Sequence, residues 1–444
     1  MVDEPDWNAE LNRTTALLKQ NPADAQALLD RAVAASKLND WHSAIADWEQ
    51  VRRHIGDLPA LLRNIARGYM RVRDLPKALA ILEQLLLRDA GDAETLAVQG
   101  VSLMQMGRLE EALDCMRRCA AQRGLGHIDN TLNMATTLMT LGRWEEGLPL
   151  YEHRWPHVDG DTRSVHTYLS AVPQWNPATD EQVDLVIGME QGSGDIIMMA
   201  RYLPILARRV RSVTAMVQKP LVSLLSTSFA HVPNLRIIPA ANVPLTSDSR
   251  HLMYMSILHL LGERPDTVPS RFGYLSAAHF ADRSRRRSSS RPAVGISWRG
   301  AAKHPDDDLR SLSPDLAVQF IERSPHIDFH ALSPPSMLPL ADVPAPPNLY
   351  FPVIEDDGFE VTAALMEEMD LVISVDSAPC HLAGALGVPV WTLLRRHADW
   401  RWGTALVEET PWYGSMALLR QPAINDWQGL LDQVTARLAR IGNR

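Results

Sequence analysis

The sequence predicts an all-α repeat solenoid followed by an α/β region made of two successive parallel-sheet halves. Small residues recur every 34 or 35 residues in the first third, at Ala44, Ala78, Ala112 and Gly147. After about Pro156, short apolar runs alternate with amphipathic segments, which is the pattern of strands and helices in turn. The late stretch DLVISVDSAPCHLAGALGVPVW has the pattern of a strand, a tight turn, a helix and a second strand.

The repeat indicates paired helices that approach closely through small residues. A bulky residue opens each second helix, three positions before the small one, and another small residue marks each first helix. The bulky positions are Trp41, Leu75, Leu109 and Trp144, and the small positions of the first helices are Ala32, Ala66, Gly100 and Ala135. Four units are predicted from Ala25 to Trp155, with a capping helix from Trp7 to Gln20. Such a solenoid exposes a concave surface for a peptide or protein, and a rigid arm or oligomerisation element is an equally open alternative.

Composition indicates an ordinary soluble protein of two or three domains. The 444 residues carry a formal charge of -9 with 22% charged residues, so neither nucleic acid nor an anionic membrane is expected as a partner. The N-terminus, MVDEPDWNAE, lacks the regions of a signal peptide, and a cytoplasmic location is expected. Between Leu371 and Leu394 the chain is nearly uncharged, but Asp376, Pro379 and two glycines argue against a membrane span. Cys115 and Cys119 have no further ligand at metal spacing, so both are expected to pack.

The α/β region divides near an arginine-rich stretch, Ser284 to Arg291, which is interpreted as a linker or surface loop with nucleic-acid binding as the minor alternative. The predicted domains are residues 1–156, 157–290 and 291–444. In the first half, strands are predicted at Val183–Gly188, Val213–Val217 and Leu235–Pro239, and a helix at Asp195–Arg209. In the second half, strands are predicted at Ala293–Trp298, Ile327–Leu332, Leu349–Val353, Leu371–Val375 and Val388–Leu394, and helices at Pro314–Arg323, Phe359–Glu368, Cys380–Leu386 and Ile424–Ile441.

A glycine-bearing loop, Gln191-Gly192-Ser193-Gly194-Asp195, joins a predicted strand to a predicted helix. A dinucleotide fingerprint needs a third glycine at position 197, but Ile197 stands there, so a nicotinamide site is not expected. The glycines allow a ligand to approach the backbone closely. Asp195 can serve as a helix cap or as a proton acceptor, and the residues alone leave both roles open.

A phosphate site is expected where the helix that begins near Ser377 follows a strand. Asp376, Ser377 and Ala378 form the turn, and the unpaired N–H groups of a helix N-terminus attract phosphate or diphosphate. His381 lies in the first turn of that helix. It can reach phosphate or sugar oxygens, or it can be a buried structural residue.

Three cations follow the first strand of the second half: Arg299, Lys303 and Arg310. They can neutralise a diphosphate leaving group without a metal. An equal alternative is a solvated loop in which the three consecutive aspartates from Asp306 to Asp308 neutralise these cations. An aromatic cluster around Arg401 is expected to pack the terminal segment onto its domain, or to stack on a sugar or base.

Five ordered motifs carry a family resemblance: EQGSGDIIMMARYLP, VGISWRG, DLVISVDSAPCHLAGALGVPVW, DWRW and PWYGSM. Together they resemble the bacterial tetratricopeptide-repeat proteins whose C-terminal region is similar to the family 9, heptosyltransferase-like glycosyltransferases. GRWEEGLPLYEHRW is typical of the last repeat in such chains. The architecture is also similar to that of O-linked N-acetylglucosamine transferase.

This resemblance implies a GT-B fold with the donor on the C-terminal half, the acceptor facing the N-terminal half, and neither a metal nor another cofactor. It implies Asp195 as the base, and Asp376, Ser377, Ala378 and His381 as the nucleotide-phosphate motif. An inverting glycosyltransferase with a nucleotide-sugar donor and a protein acceptor on the repeats is therefore expected. A non-catalytic scaffold, or an enzyme acting on a saccharide or lipid-linked acceptor, is the alternative.

Overall fold

A computed structural model gives the structure of the chain. It describes residues 5–269, 272–283, 290–302, 306–333, 338, 340, 344–351, 358–404 and 407–441. The chain divides into two compact units, Met1–Leu138 and Met139–Arg444. The division falls inside a helix, and the predicted boundaries after residues 156 and 290 stay predictions.

The first unit is built from antiparallel helix pairs. Its helices, within the described residues, are α1 (Trp7–Gln20), α2 (Ala25–Lys37), α3 (Trp41–Ile55), α4 (Pro59–Arg71), α5 (Leu75–Arg88), α6 (Ala93–Gln105), α7 (Leu109–Arg123) and α8 (Ile128–Thr140), the last of which continues into the second unit. Aspartate side chains cap several of these helices; Asp6, for example, accepts hydrogen bonds from the first backbone N–H groups of α1. The predicted capping helix and repeated helix pairs are thus confirmed.

Small residues let neighbouring helices touch, both within a pair and between successive pairs. Ala44, Ala66 and Ala78 are fully buried, and a Cβ at Gly68 would lie 2.6 Å from Ile45 Cγ1. Each turn between the helices of a pair places one residue in the left-handed region: Asn39, Arg73, Gly107 and Gly142. The 34-residue period of the sequence is therefore a period of backbone conformation as well as of packing.

The second unit begins with α9 (Trp144–Tyr151) and α10 (Gly160–Leu169), followed by a four-stranded parallel sheet. Its elements are β1 (Asp184–Gly188), α11 (Ser193–Met199), α12 (Leu203–Ala207), β2 (Ser212–Val217), α13 (Val222–Ser228), β3 (Leu235–Pro239), β4 (Ser249–Met253) and α14 (Ser256–Leu260). The strand order is β3-β2-β1-β4. β1 and β2 are almost wholly buried, as expected for a parallel sheet covered on both faces.

A six-stranded parallel sheet follows, in the order β10-β9-β8-β5-β6-β7. Its elements are β5 (Ala293–Ser297), α15 (Asp307–Arg310), α16 (Pro314–Glu322), β6 (Asp328–Ala331), β7 (Leu349–Tyr350), α17 (Phe359–Glu367), β8 (Leu371–Val375), α18 (Ala378–Leu386), β9 (Val390–Leu394), β10 (Met416–Arg420) and α19 (Trp427–Leu438). The predicted fold class, a helical solenoid followed by a parallel-sheet α/β region, is confirmed. In the part of the chain that the structure describes, no helix has the length and apolar character needed to cross a membrane.

Several elements differ from the prediction, and helices α10, α13, α14 and α15 were not predicted. The helix predicted at Asp195–Arg209 is divided by a 3-10 turn at Ala200–Tyr202, which ends two residues before Pro204; the proline nitrogen has no N–H to donate to the helix. β4 and β10 were not predicted, because Arg250 and His251 interrupt the apolar pattern of β4 and a tight turn precedes the short β10. Most of the predicted linker at Ser284–Arg291 lies outside the described residues.

Candidate functional site

Each sheet has one point at which the strand order reverses. β1 lies between β2 and β4 in the first sheet, and β5 lies between β6 and β8 in the second. In open parallel sheets the ligand crevice lies outside the carboxyl ends of the strands at such a reversal. The loop after β1 carries Gln191 to Asp195 and the loop after β8 carries Asp376 to Ala378, so both predicted site loops lie at these crevices.

The glycine loop positions Asp195 in the first turn of α11. Gln191 adopts a left-handed conformation, with φ of 63°, and Gly192 is the N-cap residue. The Gly192 N–H donates a 3.2 Å hydrogen bond to Oδ2 of Asp195. Asp195 is therefore not the N-cap itself, but its carboxylate reaches back to the cap residue. Ser193 opens the helix between them.

Arg401 holds the Asp195 carboxylate from the other half of the α/β region. Its Nε donates a 2.8 Å hydrogen bond to Oδ1 of Asp195, and its Nη2 lies 2.6 Å from the same oxygen. Its Nη1 donates a 2.6 Å hydrogen bond to Asp399. Burial opposes the charge of Arg401, but the two carboxylates raise its pKa well above the usual value. The guanidinium stays charged and fixes the direction of Asp195.

The N-terminus of α18 lies directly against the glycine loop. A Cβ placed on Gly194 would lie 3.4 Å from the Cα of Ala378 and 2.8 Å from Cδ2 of His381. Ser377 is the N-cap residue; its hydroxyl donates to the carbonyl of Val375 and accepts no hydrogen bond from the first N–H groups of the helix. Pro379 has no N–H and the N–H of Cys380 donates to the carbonyl of Ser377, so of the first three residues of α18 only Ala378 keeps an N–H for a ligand.

His381 is buried and neutral. Nδ1 lies 3.0 Å from the Tyr413 hydroxyl, and the imidazole stacks on Trp402 with ring centroids 5.1 Å apart. Burial, together with Arg401 and Arg201, lowers the pKa of His381 to about 3. The ring of Tyr413 covers Gly384 so closely that a Cβ there would lie 2.5 Å from it. These contacts fit the structural role that the sequence left open, although they leave the Nε2 edge of the ring near Gly194.

Asp376 carries an unusual carboxyl group at the end of β8. Burial and the neighbouring Asp399 raise its pKa to about 6, although Arg310 and Arg401 act in the opposite direction. Arg310 donates a 3.2 Å hydrogen bond from Nη1 to the carbonyl of Asp376. Asp376 thus keeps a proton at a pH where an ordinary aspartate has lost it.

Two of the predicted diphosphate cations are already paired with acids. Arg299 donates a 3.3 Å hydrogen bond to Asp307, and Arg310 lies 3.9 Å from the same carboxylate. This is the charge compensation that the sequence left as the alternative to phosphate binding. Lys303 lies outside the described residues, so its predicted contact stays a prediction.

One group of side chains has the composition of a metal site. Ligand atoms of Asp376, Cys380 and His381 lie within 4.8 Å of one another. Burial raises the pKa of the Cys380 thiol, which therefore keeps its proton, and the cations Arg401 and Arg310 act on the same place. Because Arg310 and Arg401 already place positive charge beside Asp376 and would repel a cation, these residues do not fit a divalent ion well.

A second buried ion pair supports the glycine loop. Both terminal oxygens of Glu190 accept hydrogen bonds of 2.8 Å from Arg154, and one also accepts from the N–H of Met255 after β4. Arg154 also contacts Glu152 and Ser256. Glu190 immediately precedes Gln191, so this pair fixes the strand end from which the loop starts.

The sequence indicated neither Arg154 with Glu190 nor Arg401 with Asp195 as pairs. The available signals were charges inside apolar or aromatic stretches, in YEHRW, IGMEQG and DWRW. Such charges are seldom buried without a partner. The partners are distant in sequence, 36 residues apart in the first pair and 206 in the second, so the local pattern does not identify them.

Comparisons with known proteins agree with the family resemblance. Residues 63–124 match the model of the tetratricopeptide repeat, and residues 358–421 match that of glycosyltransferase family 9 (heptosyltransferase). The chain therefore carries tetratricopeptide repeats and a C-terminal region of glycosyltransferase family 9 type. The second match includes β8, α18 and Arg401.

One similar protein spans most of the chain. Protein FlbA of Caulobacter vibrioides is 24% identical over 457 residues, which cover 94% of this chain and 73% of that protein. Among solved structures, TTC0263, a tetratricopeptide-repeat protein of Thermus thermophilus, is 19% identical with a TM-score of 0.31, covering 37% of this chain and 90% of its own. MamA of Desulfovibrio magneticus RS-1 is 13% identical with a TM-score of 0.30, covering 33% and 82%.

Proposed function

We propose that the protein is an inverting glycosyltransferase that moves a sugar from a nucleotide-sugar donor to an acceptor hydroxyl. The observation that carries this proposal is the close approach of the Asp195 loop to the N-terminus of α18, a helix within the residues that match family 9. The two crevice loops face each other, as donor and acceptor sites must in a direct transfer. In this proposal the two sheets are the halves of a GT-B fold.

The reaction is a single displacement. The acceptor oxygen attacks the anomeric carbon while the bond from that carbon to the diphosphate oxygen breaks, and the diphosphate leaves with the bonding electrons. Asp195 takes the proton of the acceptor hydroxyl on Oδ2. Arg401 occupies Oδ1, whereas the Gly192 N–H uses only one lone pair of Oδ2 and leaves the other available. Attack opposite to the leaving group inverts the anomeric centre.

The leaving diphosphate needs positive charge, which the protein can supply itself. The uncapped N–H groups at Ser377 and Ala378 and the positive end of the α18 dipole face the β8 crevice. Arg310 lies at the same strand end. We therefore propose that transfer needs neither a metal ion nor another cofactor, and that His381 positions the helix through Tyr413 and Trp402.

A polypeptide acceptor fits the first unit. Helix pairs of this kind form a long concave face, which is suited to an extended peptide. The proposal is thus that the repeats bind the acceptor protein while the α/β unit transfers the sugar.

A non-catalytic scaffold is the second candidate, and two contacts favour it. Both oxygens of Asp195 already accept hydrogen bonds, and His381 is only 4% exposed. A scaffold of this kind binds a partner through the repeats and has lost sugar transfer.

Nucleotide binding separates the two candidates. Thermal unfolding of the full chain is measured with ADP, GDP, UDP, CDP and dTDP, each with and without EDTA. A ligand at 100 times its Kd stabilises the folded state by about 2.7 kcal/mol. The nucleoside diphosphate with the base that the site accepts should therefore raise the Tm by several degrees. A rise that persists in EDTA supports a metal-independent donor site. No rise with any nucleotide favours the scaffold, and a rise that requires added magnesium contradicts the metal-free mechanism.

A further inference from the structure

The carboxyl edge of the six-stranded sheet holds a second group of cations, none of which the sequence predicted as a ligand. Arg420 is the last residue of β10 and pairs in register with Leu394, the last residue of β9. Arg396 follows two positions later. Val375, the last residue of β8, pairs with Leu393, so Asp376 continues in register with Leu394 and Arg420. Residues in register on parallel strands project to the same face, which places Arg420 on the Asp376 side of the crevice.

Arg420 has buried donors without acceptors. Its Nη2 donates to the carbonyl of Trp402 at 2.5 Å, but Nε and Nη1 are buried and have no hydrogen-bond partner among the described residues. Buried donors that stay unsatisfied are rare and costly, and a buried guanidinium more so. Burial lowers the pKa of Arg420 to about 10; the nearby carboxyl of Asp376 opposes this change, and Arg396 adds to it.

Arg396 adds to this excess of charge. Within the described residues its guanidinium has no acidic partner, whereas the preceding Arg395 is paired with Asp306 at 2.9 Å. Burial lowers the pKa of the neighbouring His397, and the positive charges of Arg396, Arg420 and Arg395 lower it further. Two neighbouring guanidinium groups with unsatisfied donors at one edge of a sheet favour the binding of an anion.

We propose that Arg396 and Arg420 bind the anionic diphosphate of the donor and neutralise it as it leaves. The inference rests on the proposed function, but it assigns the charge to residues other than Arg299 and Arg310, which Asp307 already neutralises in part. The uncapped N-terminus of α18 follows Asp376 at the end of β8, the strand next to β9, and supplies backbone donors to the same anion. The diphosphate would accept charge-assisted hydrogen bonds from these guanidinium groups and offset the repulsion between them.

The test is isothermal titration of the full chain with inorganic pyrophosphate in EDTA at fixed ionic strength. Arg420→Met keeps much of the side-chain length and removes the charge, and Arg396→Gln does the same at the second position. Hydrogen bonds to charged groups are worth enough that each variant should bind pyrophosphate about 10-fold or more weakly. The matched control is Arg323→Gln, whose side chain is paired with Asp432 on the surface, and it should bind as the wild type does.

Thermal unfolding without ligand provides an independent readout. If Arg420 is a ligand-binding cation whose charge is unpaired in the free protein, Arg420→Met should melt at a higher temperature than the wild type. A purely structural Arg420 would lose its bond to the Trp402 carbonyl and melt at a lower temperature. If Arg420→Met does not fold, Arg396→Gln decides the question by titration alone.

The outcomes separate this inference from the proposed function. Weaker pyrophosphate binding by the variants supports the anion site, even if no nucleoside diphosphate binds and the nucleotide-sugar function fails. Equal binding of a nucleoside diphosphate by the wild type and both variants overturns the anion site and leaves the proposed function standing. A wild-type protein that binds neither pyrophosphate nor any nucleoside diphosphate overturns both.

Discussion

Arg401 places two nitrogens, Nε and Nη2, on a single oxygen of Asp195, at 2.8 and 2.6 Å. The two residues belong to the loops of different sheets, 206 positions apart. The geometry fixes Asp195 in one orientation and leaves its second oxygen toward the glycine loop. Because Asp195 and Arg401 link two loops, changes at either residue should affect both the stability and the chemistry of the site.

The substitution Asp195→Asn distinguishes the role of Asp195 as a proton acceptor from its role at the start of the helix. The single carbonyl oxygen of asparagine can accept the hydrogen bond from Gly192, but its amide then faces Arg401 and cannot take a proton. We therefore expect sugar transfer to fall about 100-fold or more in a protein that folds with reduced stability and still binds donor. Transfer to acceptor is measured alongside a donor titration. The matched control is Asp315→Asn, an exposed aspartate in the first turn of α16, which should transfer normally. Near-normal transfer by Asp195→Asn would reject the assignment of the base.

Arg401→Gln should destabilise the protein. It leaves the Asp195 carboxylate at 16% exposure without its cation, and breaking such a pair costs about 3 kcal/mol. Urea unfolding gives the free energy of unfolding. Arg437→Gln breaks a more exposed pair with Glu408 and should cost less than about 1 kcal/mol. Equal losses of unfolding free energy in the two variants would show that Arg401 does not stabilise the protein through Asp195.

The buried pair of Arg154 and Glu190 should show strong coupling in a double-mutant cycle. Arg154→Met alone leaves the buried Glu190 carboxylate without its cation and should cost about 3–5 kcal/mol, whereas Glu190→Gln should cost less, because Arg154 keeps its pair with Glu152. The double variant should lose clearly less than the sum of the two, since neither charge is then stranded. Additive losses in urea unfolding would mean that the two residues act through separate contacts.

Asp376 should make the fold less stable as pH rises. Its folded-state pKa is raised from 3.8 to about 6, so between these values the folded protein holds a proton that the unfolded chain has lost. Its contribution to the free energy of unfolding therefore falls through this window, by up to about 3 kcal/mol. Asp376→Asn should be more stable than the wild type at about pH 8, with the difference disappearing near about pH 4.

Asp399→Asn is the matched control for that pH dependence. Burial opposes the charge of Asp399, but Arg401 outweighs burial and lowers the pKa of its carboxyl. The same substitution should therefore destabilise the protein at about pH 8, the opposite sign to Asp376→Asn. Urea midpoints at several pH values test both variants, and the same sign for the two would contradict these assignments.

Removal of residues 1–123 should separate acceptor binding from donor chemistry. If the repeats bind a protein acceptor, the truncated chain should no longer modify it while any hydrolysis of the donor persists. Circular dichroism and nucleotide-induced stabilisation must first show that the remaining chain is folded. Unchanged transfer to the protein would contradict the role of the repeats.

Local patterns predicted the elements that have strong periodicity or distinct end signals. The 34-residue period gave the helix pairs, and the apolar run Leu371–Val375 matches β8 residue for residue. Gly387, with φ of 78°, ends α18 where a left-handed residue was needed. β4 was missed because Arg250 and His251 lie within it, and tertiary contacts rather than apolar character hold these residues in a strand.

The site was predicted less completely than the fold. The glycine loop and the start of α18 are local signals, and the structure brings them together through Gly194. Arg401, Arg420 and Glu190 act through partners on other elements of the α/β unit, and no spacing in the chain encodes those contacts. Strand order determines these contacts, and strand order depends on the packing of the whole unit.

Gly384 constrains how this protein can diverge. The ring of Tyr413 occupies the place where a side chain at 384 would stand, so a larger residue there requires a smaller one at 413. The two positions must therefore change together, and a smaller residue at 413 removes the hydroxyl that orients His381. In a natural relative, a bulky residue at 384 should accompany a small residue at 413 and a different residue at 381.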